Sequence, residues 1–348
     1  MDYIGFDLGK AFSQICIITE EGELIERRIK TDREQLAKLL GTRSPARILI
    51  EAATESEWVA RCLEELGHEV IVADPNFAPM YATRSRRIKT DKRDARTLAE
   101  ACRLGAYRAA HRTSDKQRHV RAKLAVREVM VRTRARYISL ISALLRRDGF
   151  RIKQGTSRSF LLRLEALSLS TDLTAEIAPL IVLLQNLNEQ IKHADEQLAQ
   201  VVKNDEVIAR LTTVPGVGPV TATSFASALD DVARFDDAKQ VRAYLGLVPS
   251  EHSSGERKQR GHINKAGPSR VRYVLVEAAW VILRRHDRAT EALYTWATRI
   301  RIRRGSKIAV IALARKLAGI LYAMWRDGTR FENRAPCPNA LIAGQIIA

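Results

Sequence analysis

Apolar and polar positions change their period several times along this chain, and each change marks an element. Residues 3–9 and 12–19 are apolar and β-branched, the turn Glu20-Glu21-Gly22-Glu23 follows, and residues 24–30 alternate with the period of a strand. DREQLAKLL (32–40) and SEWVARCLEELG (56–67) have helical spacing, the second stopped by Gly67. ARILIEA (46–52) and EVIVAD (69–74) read as strands. Three strands followed by helix, strand, helix and strand predict an α/β domain with a mixed sheet that begins as an antiparallel meander. TDKRDARTLAEACRLG (90–105) then predicts a helix that ends on Gly105.

The middle of the chain has heptad spacing. Leu124, Val131, Ile138 and Leu145 repeat every seven residues in a segment, 118–147, with nine Lys/Arg and one acid. Residues 165–206 reverse the charge, with eight acids and two lysines. There Ile177, Leu184, Ile191 and Leu198 form one column, and Leu180, Leu187, Ala194 and Val201 a second, which is the seam of a coiled coil. Two readings stand open: a helical hairpin packed on itself, with Arg158 to Arg163 in or beside the connection, or a dimerising stalk. Beyond it LTTVPGVGPVTATSFASAL (211–229) reads as a helix-hairpin-helix, and the chain past residue 229 is mostly helical in pattern.

Charge narrows the partners. The 348 residues carry a net charge of +18 with a sequence pI near 10.1, an excess that favours a polyanion. A membrane surface is polyanionic too, but no apolar run is expected to reach the ~20 residues of a spanning helix. MDYIGFDLG lacks the basic-then-apolar form of a secretory signal. Cys16, Cys62, Cys102 and Cys337 are far apart without zinc-site spacing, as expected of a reduced cytoplasmic protein without disulfides.

Four acids stand out. Asp7 lies in YIGFDLG, Glu51 closes ILIEA, and Asp91 and Asp94 lie three apart among seven Lys/Arg between Arg84 and Arg96. That spacing puts the last pair on one helix face with Cβ atoms about 5–6 Å apart. Carboxylates set among cations suit hard metal ions, Mg2+ above all, held against a phosphate backbone. The RNase H-like fold has this element order, with an Asp near the centre of its first strand and a Glu or Asp beside it ending the fourth. Other roles compete: Asp91 as a helix N-cap with Asp94 as its N3 partner, Asp7 as a turn residue, Glu51 as a strand-end charge. IGFDLGK also resembles the first phosphate loop of the actin-like kinases and chaperones, but the second such loop they need is not found.

A second constellation lies in the last domain. The glycines of PGVGP, Gly216 and Gly218, would let backbone N–H groups approach a phosphate, or merely connect two helices. In YLGLVPSEHSSGERKQRGHINKAGPSRVRYVLVEAAW (244–280), Ser253 and Ser254 precede Gly255, and Arg257, Lys258, Arg260, Lys265, Arg270 and Arg272 follow. A serine among cations is placed to attack a phosphate, but a bare hydroxyl needs a base or a metal. His252 and His262 are loose candidates, and a polar DNA-binding loop is the alternative.

Taken together, Asp7, Glu51, Asp91 and Asp94 with VPGVGPVTA, YLGLVP, SSG and KAG in order resemble the DEDD-type insertion-sequence transposases, serine recombinases guided by a bridge RNA. The resemblance runs from YIGFDLGK to the helices near Trp325. It implies a RuvC-like (RNase H-like) domain over 1–112, a helical coiled-coil region over 113–206, a mainly α transposase domain over 207–330 and a tail, 331–348. It implies Ser254, directly before the glycine, as nucleophile, a Mg2+ site on the four acids, and one active site assembled from different subunits, hence a homodimer or homotetramer. Its partners would be donor and target DNA and a structured guide RNA, met in the cytoplasm at the nucleoid. Arg84, Arg86, Arg87, Lys89, Gly216, Gly218, Arg257, Lys258, Arg260, Lys265 and Arg270 are the expected nucleic-acid contacts. A metal-dependent junction-resolving nuclease using water, and a binding protein with a dead catalytic domain, are the competing functions.

Overall fold

A computed structural model describes residues 1–82, 90–251 and 260–333, Arg260 by its backbone alone. The chain divides into two compact units, Met1–Thr113 and Ser114–Ala348.

The first unit is built on five strands: β1 Tyr3–Asp7, β2 Phe12–Ile18, β3 Leu24–Lys30, β4 Arg47–Glu51 and β5 Glu69–Ala73. Their order is β3-β2-β1-β4-β5; the first three pair antiparallel, and β1, β4 and β5 run parallel. This is the expected mixed sheet with an antiparallel start. β1, β2, β4 and β5 read as apolar runs because both faces are covered, while β3, the outer strand, alternates and is largely exposed. Ile4, Phe6, Ile15, Ile17, Ile48 and Ile50 face α1 (Arg33–Leu40) and α2 (Ser56–Glu65), meeting Leu36, Leu40, Val59 and Leu63. The alternate residues Tyr3, Cys16, Ile18 and Leu49 point the other way, onto α3 (Asp91–Leu104) and its Ala95, Leu98, Ala99 and Cys102.

Cys16, Cys62 and Cys102 are free and buried. Burial pushes the Cys16 thiol up to about 11 and the Cys102 thiol up to about 12, so both stay protonated and unreactive near neutral pH. Cys337 lies outside the described residues.

The second unit is helical. α4 (Asp115–Arg147) and α6 (Thr171–Lys203), each 33 residues, pack together with the short α5 (Phe160–Glu165) between them in sequence. One heptad column of α6, Ile177, Leu184, Ile191 and Leu198, is wholly buried; the second, Leu180, Leu187, Ala194 and Val201, is half-buried. Ile177 and Leu184 meet Ile141 and Leu145 of α4, and Leu198 meets Val120 and Leu124. Opposite charges follow the seam, with Arg127 to Asp195 at 2.5 Å and Arg147 to Glu176 at 2.8 Å. Arg158, in the connection, also reaches Asp195 at 3.3 Å. The heptads therefore pack, at least in part, within one chain as a helical hairpin.

The remaining elements are α7 (Glu206–Leu211), α8 (Pro219–Leu229), α9 (Ala238–Tyr244), the short pair β6 (Pro249–Glu251) and β7 (Arg260–Ile263), α10 (Ser269–Arg284), α11 (Glu291–Arg304) and α12 (Ser306–Arg326). They enclose one core through Phe225, Leu275, Leu313, Leu317 and Tyr322, whose hydroxyl donates to Phe235 O at 2.7 Å. α12 corrects one expectation from the sequence, that no apolar run reaches the length of a spanning helix. By length and composition this helix could cross a membrane. More than half of its apolar window is buried against the other helices, which makes it the central helix of this core.

α3 touches β1 at Gly5. A Cβ there would lie 2.1 Å from both Ala95 O and Ala99 N, so the helix backbone rests on the strand backbone. Gly5→Ala must push α3 off the sheet. Its cost should exceed the ~1–3 kcal/mol usual for overpacking, read as a lowered urea midpoint at unchanged m-value.

Candidate active site and nucleic-acid interface

Two strand ends and one helix start carry the four acids toward the same end of the sheet. Asp7 ends β1 and Glu51 ends β4, and these neighbouring parallel strands pair Phe6 with Ile50, so the two acids come next, side by side. α3 runs antiparallel to them. Its Ala95 and Ala99 lie over Gly5, while Cys102 Sγ donates to Arg47 O at 3.4 Å at the start of β4. The first turn of α3, with Asp91 and Asp94, is therefore at the end where β1 and β4 finish. Asp91 is exposed; Asp7, Glu51 and Asp94 are half-buried, and the Asp94 Oδ1 atom is buried.

The capping alternative fails. Thr90 is the N-cap, its side chain accepting from Arg93 N at 3.4 Å, so Asp91 and Asp94 sit inside the helix. Neither carboxylate is needed to cap it. Lys92, between them, pairs with Glu26 of β3 at 2.7 Å. Among the described residues no three His, Cys, Asp or Glu side chains are close enough as they stand to hold a metal ion. The ends of β1 and β4 and the first turn of α3 lie toward the same end of the sheet, but the side chains of the described acids are not drawn together into a ligand group. As a donor set they fit a hard cation, since every available atom is a carboxylate oxygen. Arg84, Arg86, Arg87 and Lys89 lie outside the described residues.

In the second unit, the PGVGP turn joins α7 to α8. Gly216 has φ of +91°, and a Cβ on it would meet Ile282 Cγ1 at 3.1 Å and Ala278 O at 3.2 Å. The close approach that demands this glycine is thus to α10. Gly218 has open space around it and forms the N-cap of α8, with Pro219 as first helical residue.

β6 and β7 hold the two ends of the serine segment, pairing Pro249 with Ile263 and Glu251 with Arg260. His252, Ser253, Ser254, Arg257 and Lys258 lie outside the described residues, and so does the side chain of Arg260. Gly246, with φ of +66°, faces Ala266 so closely that a Cβ would lie 2.1 Å from its oxygen. Gly267, with φ of +69°, faces Tyr244, where a Cβ would lie 2.0 Å from the oxygen. Arg272 donates to Leu245 O and Gly267 O, each at 3.1 Å, and also to Ala266 O. YLGLVP and KAG are thus two halves of one clasp with a guanidinium driven through it. Burial lowers the Arg272 pKa, and its Nη1 donates to all three of these carbonyls.

Two expected cations fare differently. Lys265 is exposed, with φ of +58°. Arg270, expected on nucleic acid, is engaged internally instead: Nε meets Glu128 at 2.5 Å and Nη1 donates to Arg121 O at 3.3 Å, tying α10 to α4.

Comparison with known proteins agrees with both halves. The DEDD transposase model of the IS110 group matches residues 4–147 and that of the IS116/IS110/IS902 transposase family matches residues 208–295. The transposase for insertion sequence element IS1111A of Coxiella burnetii is 30% identical over 327 residues, 92% of this chain and 88% of its own. This chain belongs to the IS110-type transposases. A probable family 20 transposase of Pseudomonas aeruginosa is 29% identical over 92% of this chain and 96% of its own. The IS1328 transposase of Yersinia enterocolitica is 29% identical over 94% and 98%. As an insertion-sequence transposase the chain is an enzyme that acts on DNA, and the DEDD type is typically metal dependent.

For this transposase the clasp is a structural requirement. Gly267→Ala adds left-handed strain of about 1–2 kcal/mol for an L-residue, on top of the clash with Tyr244 O. Differential scanning calorimetry should record a lower Tm for the second unit's transition, and strand exchange should fall with it.

Proposed function

We propose that this transposase cleaves and rejoins DNA through a covalent phosphoserine on Ser254, at target sites chosen by pairing with a structured guide RNA. What supports the reading is that β1 and β4 end side by side on Asp7 and Glu51 and that α3 begins at that same end of the sheet with Asp91 and Asp94 in its first turn, Thr90 doing the capping that Asp91 would otherwise do. On this reading the first unit is RuvC-like, that is, RNase H-like. Those four residues would hold Mg2+, which when bound supplies positive charge to polarise the scissile phosphate and ease removal of a proton from a hydroxyl.

The rest of the chemistry belongs to the chain. Ser254 Oγ loses its proton and attacks phosphorus, a new Oγ–P bond forms, and the bond from phosphorus to the 3′ oxygen breaks. The 3′ oxygen leaves as a hydroxyl after gaining a proton, and the 5′ end stays joined to the serine. A 3′-hydroxyl from another strand then reverses the step and releases Ser254. One phosphoester bond is exchanged for another throughout, so no nucleotide cofactor is required. Arg257, Lys258 and Arg260, close by in sequence, are suited to neutralise the additional transition-state charge. Guide RNA would select the site by base pairing, leaving the protein to hold backbone and shape. Assembly as a homodimer or homotetramer and action on DNA in the cytoplasm, at the nucleoid, belong to the same reading.

Two variants test it. Asp91→Asn removes a charge from an exposed position that caps nothing. Mg2+-dependent cleavage should vanish while DNA retention in a gel-shift assay persists; undiminished cleavage would remove Asp91 from the site. Ser254→Ala should abolish a covalent protein–DNA adduct trapped on a nicked substrate and mapped by peptide mass. Cleavage that persists in that variant with no adduct would transfer the function to a nuclease that activates water, and an adduct on Ser253 would move the nucleophile by one residue.

A further inference from the structure

The stretch from Ala292 to Arg326 contains eight Lys/Arg and no acid. Of these eight, Arg326 pairs with Asp327. Arg299, Arg301, Arg303, Arg304, Lys307, Arg315 and Lys316 have no ion pair among the described residues. Two of these seven, Arg315 and Lys316, belong to a built cluster with Arg242 of α9, where α9 packs on α12.

Arg242 is half-buried, and its Nε is fully buried with no hydrogen-bond partner. The guanidinium lies against Gly319 of α12, where any Cβ would strike it, so α12 leaves a notch for this side chain. The nearest acid influence, Asp237, uses its carboxylate to cap α9, accepting from Lys239 N at 2.7 Å and Gln240 N at 2.9 Å. Arg315 stands close enough to repel Arg242, and Lys316 feels Arg242 in turn. Lys316 Nζ rests 4.3 Å above the Trp296 ring, which replaces part of its hydration with an aromatic face.

Three neighbouring cations, partly stripped of water and without an ion pair among the described residues, are unfavourable in the protein alone. An oxyanion removes the cost. A guanidinium pair offers the forked donors that fit a phosphodiester, with Lys316 as a point charge at its side. The uninterrupted basic stretch around the cluster suits a polymer of phosphates rather than a single small anion. We propose that Arg242 and Arg315, flanked by Lys316, seat a backbone phosphate of bound nucleic acid, a contact site apart from the serine segment. The proposal rests on the reading that this transposase works on nucleic acid, and it names a site for the sugar–phosphate backbone rather than for bases.

The test is the salt dependence of binding. Fluorescence anisotropy with a labelled DNA duplex and with a labelled RNA hairpin, between about 50 and 200 mM salt, gives the slope of log K against log salt. Arg242→Gln and Arg315→Gln should each make that slope shallower by about one, with equal loss on unrelated sequences. Arg242→Lys, which keeps the charge, should retain most of the slope. Loss with the duplex alone, the hairpin alone or both supports the seat and identifies the polymer it holds. Unchanged slope and affinity in Gln variants that melt no lower than the parent would overturn it, since the cluster would then be only a tolerated strain. Neither result bears on the Ser254 adduct, so the two readings fail separately.

Discussion

The first unit depends on the direct contact of α3 with β1. Without a side chain at Gly5, Ala95 and Ala99 reach the strand backbone, and this fixes both the height and the register of the helix over the sheet. The acids of the first helical turn are held by that contact. Asp94 is adjacent to Ala95, and Asp91 is one turn nearer the helix start, so their place relative to Asp7 and Glu51 is set by apolar packing rather than by charge. A rigid apolar contact is an effective way to position carboxylates that repel one another, because the repulsion cannot push the helix aside without breaking a close-packed core.

Cations in the second unit divide into those held by acids or carbonyls of the fold and those without an ion pair among the described residues. Arg127 and Arg147 hold the helical hairpin together against the acids of α6, Arg270 links α10 to α4, and Arg272 fastens the clasp between YLGLVP and KAG. Half-exposed pairs of this sort contribute little individually, and their value is orientation. The positive residues from Arg299 to Lys316 have no ion pair among the described residues. The net charge of +18 is therefore an uneven property of the molecule. A basic run rich in neighbouring acids, such as 118–147 facing α6, says less about nucleic acid than one with no acid in reach.

Much of the fold is legible in the chain's periodicity. The five strands and α1 to α3 emerge within a residue or two of their expected ends, because alternation and helical spacing are local and both faces of the sheet are buried. Glu51 reads as a strand-end residue, and Gly105 as the stop of α3, where it adopts φ of +66°; Asp7, expected inside a strand over 3–9, ends β1 instead. Three features are not legible in the same way. Thr90 rather than Asp91 caps α3, a choice between adjacent residues that sequence spacing does not resolve. Arg270 and Arg272 read as free cations because their partners, Glu128 and the carbonyls around Gly267, are distant in sequence or belong to the backbone. The acid-free stretch 292–326 emerges only when acids as well as bases are counted along the chain.

By itself the sequence determined the element order, the two heptad columns of α6, the acid set and the family motifs, since each is a pattern of nearby residues. Tertiary structure alone decided that one heptad column packs against α4 of the same chain, that YLGLVP and KAG clasp each other, and that Arg242 shares a notch at Gly319 with no acid to meet it. These depend on which distant segments touch. Local hydrophobic spacing states that a face must be buried, and only the folded chain determines what buries it.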